Sequence, residues 1–420
     1  MAEVEITAMT FGPFGVGRLD GRAVMVPNAA PGDLLEVTVT GQRAGHLVAR
    51  VERVLKASAA RRTPPCSYLP RCGGCDWQQI AYPEQVRFKA EVVAAALNRA
   101  LGLQFDPAAL IEPAPAEFGY RARIRFQAAR GGRLGFYESG SRRLVEVDRC
   151  IVAAQEIRMP REFAAAIECE EIEVVADRGR EVLVAHLARP PGPAVLERAR
   201  RLVAGDARIA GAVLRSGRVR EVVGEASIAV ALEPGLELEV EADLFSQINR
   251  AQNLKLVAAV MEMAVAGTGA RVLDLFCGAG NFSLPAARRG AEVMGVDAEA
   301  LAVAAAARNA KRLGFERAEF AAMAAAELAQ FLLRARYRPD VVIMDPPRSG
   351  ARDLIEPLMR MRAARVIYVS CDVATLARDL RALCADGYRI AALRAFDFFP
   401  NTHHVEVVAH AVLTSAPTRS

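Results

Sequence analysis

Residues 271–282 read RVLDLFCGAGNF. This stretch passes from an apolar strand through an acidic residue and a glycine turn into a segment that predicts a helix. A second apolar run, residues 292–296, ends at Asp297, about 20 residues after the glycines, where a carboxylate can accept hydrogen bonds from ribose hydroxyls. Strand and helix patterns then alternate. The C-terminal part is therefore predicted to be an α/β domain with a parallel sheet and a ligand at the carboxyl ends of its strands.

The glycine turn also limits the ligand. It holds Gly278 and Gly280 but lacks the third glycine of the Gly-x-Gly-x-x-Gly fingerprint that binds a dinucleotide. Pyrophosphate is therefore not the expected ligand, and an adenosyl group without phosphates fits the turn better.

A single cysteine, Cys371, closes the apolar run of residues 366–370, where a buried parallel strand would reach its carboxyl end. It follows the glycine turn by about 90 residues and comes shortly after an Asp-Pro-Pro-Arg turn at residues 345–348. A thiol in that place suggests the nucleophile of a cofactor-dependent enzyme. Core packing is the alternative for a cysteine on an apolar strand, and this setting disfavours it.

Length and composition indicate a globular protein of two or three domains, because 420 residues exceed one ordinary core. The chain is 52% apolar and 25% charged, and it lacks the run of about 18 apolar residues that a membrane helix needs. Its N-terminus is acidic where a secretory signal would be basic. We expect a soluble cytoplasmic protein with no membrane partner.

Positive charge is concentrated between residues 119 and 149. This segment contains eight arginines and three acidic residues, so its net charge of +5 equals that of the whole chain. Arg121, Arg123 and Arg125 alternate with small or apolar side chains, so a strand would place three guanidinium groups on one face. That face would suit contacts with phosphates, and a solvated strand face is the alternative.

Three domains are predicted from the changes in pattern. Residues 1–57 are rich in β-formers and broken by Gly and Pro turns, which predicts a small β-barrel. Residues 58–240 contain an amphipathic helix over 84–101 and then short strands, which predicts a mostly antiparallel β domain. Residues 241–420 begin with a helix over 247–265 and continue as the α/β domain.

Four cysteines form a candidate metal site: Cys66, Cys72, Cys75 and Cys150. The first three have Cys-x5-Cys-x2-Cys spacing, and thiols of this kind in a cytosolic chain are more often metal ligands than disulfide partners. Four thiolates suit either a [4Fe-4S] cluster or tetrahedral zinc, and the spacing does not decide between them. Free thiols are the remaining alternative.

Four motifs resemble, in order, those of the RNA uracil-C5 methyltransferase family: residues 274–282, 345–348, 370–379 and 399–406. Residues 14–18, 26–27 and 31–33 also resemble the TRAM domain, an OB-like RNA-binding barrel. Together with the four cysteines, this start is similar to the iron-sulfur branch of the family, which acts on uracil 1939 of 23S rRNA. The resemblance implies a Rossmann-like class I S-adenosylmethionine methyltransferase domain, preceded by the barrel and the antiparallel domain.

The chemistry of uracil methylation explains the residue types. C5 is too weak a nucleophile to take a methyl group unaided, so a thiolate adds to C6 and turns C5 into an enolate carbon. A carboxylate must then remove the C5 proton before the thiol can leave. By resemblance, Cys371 is the nucleophile and Glu406 the base. The alternative interpretation of Glu406 is an exposed carboxylate on a strand over residues 405–408.

The resemblance also assigns the cofactor residues. S-adenosylmethionine is expected to contact Gln247, Phe276, Asn281, Asp297 and Asp345, and a [4Fe-4S] cluster is expected on the four cysteines. The expected partner is RNA, specifically 23S rRNA, and no DNA is expected to bind. The protein is expected to be a monomer. Two departures are Ala324, where the family has a polar residue beside the adenine, and Asp372-Val373, where Asn-Pro is commoner.

Two other classes of methyltransferase have different residues in the Asp-Pro-Pro turn. Amino-methyltransferases carry an aromatic residue after Asp-Pro-Pro, whereas Arg348 stands there, and cytosine-C5 methyltransferases carry a cysteine in that turn, which this chain lacks. A tRNA uracil-C5 methyltransferase and a non-catalytic iron-sulfur RNA-binding protein are the alternatives that stay open.

Overall fold

The computed structural model describes residues 1–264, 268–334 and 337–414, without the side chains of residues 326, 328, 331 and 332. The chain forms two compact units. The first comprises Met1–Glu117, Phe136–Val145 and Ala395–Glu406, and the second comprises Phe118–Gly135, Glu146–Arg394 and the described part of Val407–Ser420. The predicted division into three domains at residues 57 and 240 stays a prediction.

Strands β1–β6 and helix α1 begin and end within the first unit. They are β1 Ala2–Met9, β2 Phe14–Leu19, β3 Arg22–Pro27, β4 Leu34–Arg43, β5 His46–Lys56, α1 Tyr82–Leu101 and β6 Ile111–Glu112. The central part of the chain contains β7 Arg123–Ala129, β8 Arg133–Tyr137, β9 Leu144–Glu146, α2 Arg161–Ile167, β10 Glu171–Asp177, β11 Arg180–His186, α3 Pro193–Gly205, β12 Ile209–Ser216, β13 Val219–Gly224, β14 Ser227–Glu233 and β15 Leu236–Glu241.

The C-terminal part alternates strand and helix, as predicted. Its elements are α4 Arg250–Ala264, β16 Arg271–Leu275, α5 Ser283–Arg288, β17 Glu292–Asp297, α6 Ala300–Arg312, β18 Ala318–Ala322, α7 Ala325–Arg334, β19 Val341–Met344, α8 Arg352–Met361, β20 Arg365–Ser370, α9 Val373–Ala385, β21 Tyr388–Phe396 and β22 Glu406–Leu413. The helix predicted over 247–265 begins at Arg250, and residue 265 lies outside the described residues.

The N-terminal barrel is closed by β1–β5, with the strand order β1-β2-β3-β5-β4. Alternating apolar residues of these strands, such as Val4, Val26 and Val37, fill its core. Gly17 is required where β1 and β2 pair, because a Cβ there would lie 2.3 Å from the carbonyl oxygen of Glu5. The barrel also shares a second cluster with the segment that follows it, in which Met9 packs with Trp77. The predicted barrel is therefore confirmed, and its removal would uncover apolar surface beyond residue 57.

The central sheet places β7, β10, β11, β12 and β13 side by side. Only the β11–β12 pair among these is parallel, and α3 makes the crossover between them. The sheet is thus mixed and mostly antiparallel. The β14–β15 hairpin forms a two-stranded sheet of its own, and its Val230 and Leu238 share a core with Val182 of the central sheet and with Ala279 and Leu284 of the glycine turn and α5.

The arginine face predicted for residues 121–125 is wrong for Arg123. That side chain is buried, and its guanidinium donates to the carbonyl oxygens of Leu244, at 2.6 Å, and Ala242. Burial lowers the pKa of Arg123. Arg125 is exposed but lies 3.4 Å from Glu171 and 3.7 Å from Glu173. The acidic residues of β10 therefore neutralise much of this face.

Stability measurements can separate the two arginines. Arg123→Ala should lower the free energy of unfolding by about 3 kcal/mol, because it removes a charged donor from two buried carbonyls. Arg125→Ala should cost less than about 1 kcal/mol, because the Arg125 side chain is half exposed and water screens its ion pairs. Chemical denaturation of both variants checks the difference, and equal losses would contradict it.

The C-terminal sheet determines the fold class. Its strand order is β18-β17-β16-β19-β20-β22-β21, with the first five strands parallel and β22 antiparallel to β20. Strand order reverses between β16 and β19, which puts a ligand crevice at their carboxyl ends. None of the described helices is both long and apolar enough to cross a membrane.

Candidate active site

The turn after β16 has an unusual backbone. Phe276 has a φ of 64°, a left-handed conformation that is rare for an aromatic residue, and Gly278 and Gly280 follow with φ of 54° and 102°. Asp297, at the end of the neighbouring strand, accepts hydrogen bonds from the N–H groups of Gly278 and Glu299, both at 2.9 Å. The predicted ribose-binding carboxylate is therefore fixed against the glycine turn.

Four of the five predicted cofactor residues line one cavity. Gln247, Phe276, Asn281 and Asp345 surround it, together with Phe245, Ser246, Cys277 and Phe282 among others. Asp297 is not among the lining residues but bonds to Gly278, which is. The structure thus gathers residues from positions 245–247, from the turn after β16 and from the end of β19. Their roles toward S-adenosylmethionine stay predictions.

One partner of this cavity was missed from the sequence. The side-chain amides of Asn253 and Asn281 exchange two hydrogen bonds, with N–O distances of 2.9 and 3.1 Å. Asn253 is buried on α4, so it fixes the orientation of the Asn281 amide. The available signal was a pair of neighbouring amides, Gln252 and Asn253, on a helix whose other buried residues are apolar.

Two acidic side chains lie at the ends of adjacent strands. Asp274 is fully buried in β16 and accepts a hydrogen bond of 2.5 Å from the hydroxyl of Ser283. Burial raises the pKa of Asp274 to about 7, with the negative charges of Asp345 and Asp297 adding to the shift. Burial also raises the pKa of Asp345 to about 7. Sequence analysis assigned no role to Asp274, although a carboxylate inside an apolar strand was visible.

Cys371 follows β20 directly and is half-buried. The next residue, Asp372, caps α9 by accepting a hydrogen bond of 2.8 Å from the N–H of Thr375. The departure at position 372 therefore keeps the cap, because aspartate and asparagine are about equally strong N-cap residues. The hydroxyl of Ser370 also bonds the backbone of Asp372, at 3.0 and 3.1 Å, and so stiffens the chain on both sides of the thiol.

The motif at residues 375–379 anchors the Asp-Pro-Pro turn to α9. Thr375 and Arg378 donate to the carbonyl oxygens of Arg348 and Ser349, at 3.3 and 3.1 Å. Asp379 accepts a hydrogen bond of 2.9 Å from the N–H of Ala351 and one of 2.7 Å from the hydroxyl of Tyr368. The turn after β19 and the loop that carries Cys371 are therefore fixed by the same helix.

Glu406 is the first residue of β22 and has an exposed fraction of 4%. The alternative of an exposed surface carboxylate is therefore wrong. Glu406 belongs to the first unit and Cys371 to the second.

Three of the candidate metal ligands lie in one loop of the first unit, and Cys150 belongs to the second unit. The loop turns tightly, with the N–H of Cys72 donating to the carbonyl of Tyr68 at 2.9 Å. Gly73 fits closely in this loop, because a Cβ there would lie 3.0 Å from the carbonyl oxygen of Tyr137. Within the parts of the chain that the structure describes, no three His, Cys, Asp or Glu side chains are arranged to hold a metal ion.

Comparison with known proteins identifies the family. A family profile described as tRNA (Uracil-5-)-methyltransferase matches residues 235–413. The 23S rRNA (uracil(1939)-C(5))-methyltransferase of Pseudomonas putida is 34% identical over 412 residues, covering 94% of this chain and 90% of that protein. This chain belongs to the RNA uracil-C5 methyltransferase family. The Shewanella amazonensis protein of the same description is 33% identical over 418 residues, covering 94% of this chain and 92% of that protein.

A solved structure agrees with this family. The Pyrococcus abyssi tRNA (uracil-54, C5)-methyltransferase in complex with S-adenosyl-L-homocysteine has a TM-score of 0.75 and 25% identity, covering 97% of this chain and all of that one. The predicted class I methyltransferase fold is confirmed. The protein is an S-adenosylmethionine-dependent RNA uracil-C5 methyltransferase.

Proposed function

We propose that this methyltransferase modifies C5 of a uridine in 23S rRNA through a covalent adduct between Cys371 and C6. The observation that carries the proposal is the arrangement of strand ends in the second unit. β16, β19 and β20 are neighbouring parallel strands, followed respectively by Phe276, Asp345 and Cys371. A nucleophilic thiol thus comes at the same sheet edge as the cofactor cavity, one strand away from Asp345.

The residues around the cavity suit S-adenosylmethionine. The cofactor would be held by the aromatic ring of Phe276, the amides of Gln247 and Asn281, and the carboxylates of Asp297 and Asp345. Bound there, it supplies an electrophilic methyl group on a sulfonium. Because burial raises the pKa of Asp345 to about 7, a cationic ligand in the cavity would favour its ionised form.

The chemistry on uracil then divides between two side chains. The Cys371 thiolate adds to C6, so that electron density moves to C5 and C5 can accept the methyl group. Glu406 takes the proton that C5 still carries, and the electron pair of that C–H bond expels the Cys371 thiolate from C6. Burial of Glu406 keeps this carboxylate out of bulk solvent.

Methyl transfer to defined RNAs tests the substrate. Purified enzyme is incubated with labelled S-adenosylmethionine and either a 23S rRNA fragment or a tRNA transcript, and the digested nucleosides are analysed by mass spectrometry. We expect 5-methyluridine in the 23S fragment only, because the Pseudomonas and Shewanella relatives, which match over 90–92% of their length, are described as 23S rRNA enzymes. Label in tRNA alone would favour the tRNA alternative. RNA binding without transfer would favour the non-catalytic alternative.

A [4Fe-4S] cluster on Cys66, Cys72, Cys75 and Cys150 belongs to the same proposal. Its support is the cysteine spacing and the family resemblance, since the described residues show no arranged metal site. No step of the reaction passes through the cluster.

Metal analysis checks the cluster. Anaerobic purification should give a brown protein with about four irons, because a [4Fe-4S] cluster needs four thiolates. Cys72→Ser should lose iron, whereas Cys169→Ser, at a buried cysteine outside the motif, should keep it. Stoichiometric zinc without iron in the wild-type protein would contradict the cluster.

We assign the barrel to RNA binding as a TRAM-like module, because it is a closed five-stranded barrel that carries the resembling turns. A monomeric state and a cytoplasmic location complete the proposal.

A further inference from the structure

The loop between β21 and β22 ends just before Glu406 and is anchored at Asn401, which is fully buried with a φ of 68°. Its carbonyl oxygen accepts hydrogen bonds from the N–H groups of Asp76 and Trp77, at 3.1 and 3.0 Å. Its own N–H donates to Gln85 at 2.8 Å, and its amide nitrogen donates to the carbonyl of Glu117 at 3.1 Å. Because every one of these residues belongs to the first unit, the loop has a defined position within that unit.

A second anchor lies closer to Glu406. The carboxylate of Asp76 uses both oxygens on His403, accepting from its backbone N–H at 2.9 Å and contacting ring nitrogen Nδ1 at 2.6 Å. The two side chains are 25% and 19% exposed, so solvent weakens this contact only partly. Asp76 therefore fixes both the backbone and the ring of His403.

The chain between His403 and Glu406 has little freedom. The hydroxyl of Thr402 accepts a hydrogen bond of 3.3 Å from the N–H of His404, and β22 begins at Glu406 itself. After Glu406, Val407 pairs with Ser370 in the sheet. The sheet thus fixes the chain after Glu406, and the Asp76 carboxylate fixes it before Glu406.

We infer that Asp76 is a positioning residue for the removal of the C5 proton, acting through His403 on Glu406. The inference rests on the proposed role of Glu406 as the base. A base must come within hydrogen-bond reach of its proton, and a displacement of about 1 Å can cost about 100-fold in rate. Thiol addition and methyl transfer do not use Glu406, so loss of Asp76 acts only on the last step.

The test compares Asp76→Ala and Asp76→Asn with wild type. Single-turnover reactions measure methyl incorporation into RNA, and multiple-turnover reactions measure the steady-state release of methylated RNA. Denaturing gels detect the covalent protein–RNA adduct. Asp76→Ala should incorporate methyl at nearly the normal rate but release product at least about 10-fold more slowly, with adduct accumulating. Asp76→Asn should restore most of the release, because its amide oxygen can still accept the N–H of His403.

The matched control is Asp106→Ala. Asp106 is another first-unit aspartate that accepts a backbone N–H, from Ala108 at 3.0 Å, and its variant should behave as wild type. His403→Ala is the second variant, because it leaves residues 75–77 unchanged and removes the ring contact with Asp76, together with the ring's contacts to Phe11 and His404. His403→Ala should also release methylated RNA slowly and accumulate adduct, to a smaller degree than Asp76→Ala. This variant tests the inference even if Asp76→Ala fails to fold or loses its iron.

The outcomes separate this inference from the proposed function. If Glu406→Gln releases product normally, the base assignment fails and the positioning role fails with it. If Glu406→Gln stalls while Asp76→Ala and His403→Ala release product at the wild-type rate, only the positioning role is wrong. Slower methyl incorporation without adduct in both variants would also overturn it, because that pattern indicates a general structural defect.

Discussion

Replacement of Cys371 by alanine should abolish RNA methylation while leaving the affinity for S-adenosylmethionine close to that of wild type. Without the thiolate, C5 of uracil has no route to an enolate, so the methyl-transfer rate should fall by at least about 10⁴-fold, a typical scale for the loss of a covalent nucleophile. Cofactor affinity should not change, because Cys371 is not among the residues that line the cofactor cavity. Single-turnover methyl transfer and equilibrium cofactor binding measure the two effects.

Cys384→Ala is the matched control for this experiment. Cys384 lies near the end of α9, the helix that begins just after Cys371, and it is also half-buried. Its variant should keep wild-type activity and should form the covalent adduct with RNA. Comparable turnover in Cys371→Ala and wild type would defeat the nucleophile assignment.

Replacement of Glu406 by glutamine should stop the reaction after methyl transfer. Glutamine has nearly the same shape as glutamate but cannot take up a proton, so the methylated adduct cannot eliminate the thiol. We expect one methyl group per enzyme, a fall in steady-state turnover of at least about 10³-fold, and a protein–RNA band on denaturing gels. The band should disappear in the double variant with Cys371→Ala.

Glu84→Gln serves as the control because Glu84 is a partly exposed residue of α1 that pairs with Arg87. It should release methylated RNA at the normal rate. If Glu406→Gln did the same, another group would have to be the base.

Local sequence patterns predicted the parts of this fold that depend on neighbours along the chain. The apolar runs at 271–275, 292–296 and 366–370 became β16, β17 and β20, because each is a short run of β-formers between turns. The turn after β16 was predicted for the same reason. Three of the predicted cofactor residues, Phe276, Asn281 and Asp345, came together because the turns after β16 and β19 follow neighbouring parallel strands.

Contacts between distant segments were not predictable in this way. Arg123 follows the alternating pattern of an exposed strand face, but its acceptors are the carbonyls of residues 242 and 244, more than 100 residues away. Asp76 and His403 are separated by 327 residues. No periodicity in a single sequence indicates such pairs, so a buried structural arginine appeared as a phosphate ligand and Asp76 was not considered.

The composition of the first unit has a consequence for synthesis of the chain. Lys89 is buried against Asp397, and Asp76 bonds His403, so the cysteine loop and α1 need partners that are translated last among the segments of that unit. At about 5–20 residues per second, a ribosome needs about 15 to 65 s to travel from Asp76 to His403. During that interval the nascent first unit holds a lysine and several amides without their native acceptors. The first unit of an emerging chain should therefore lack these contacts until residues 395–406 have left the ribosome.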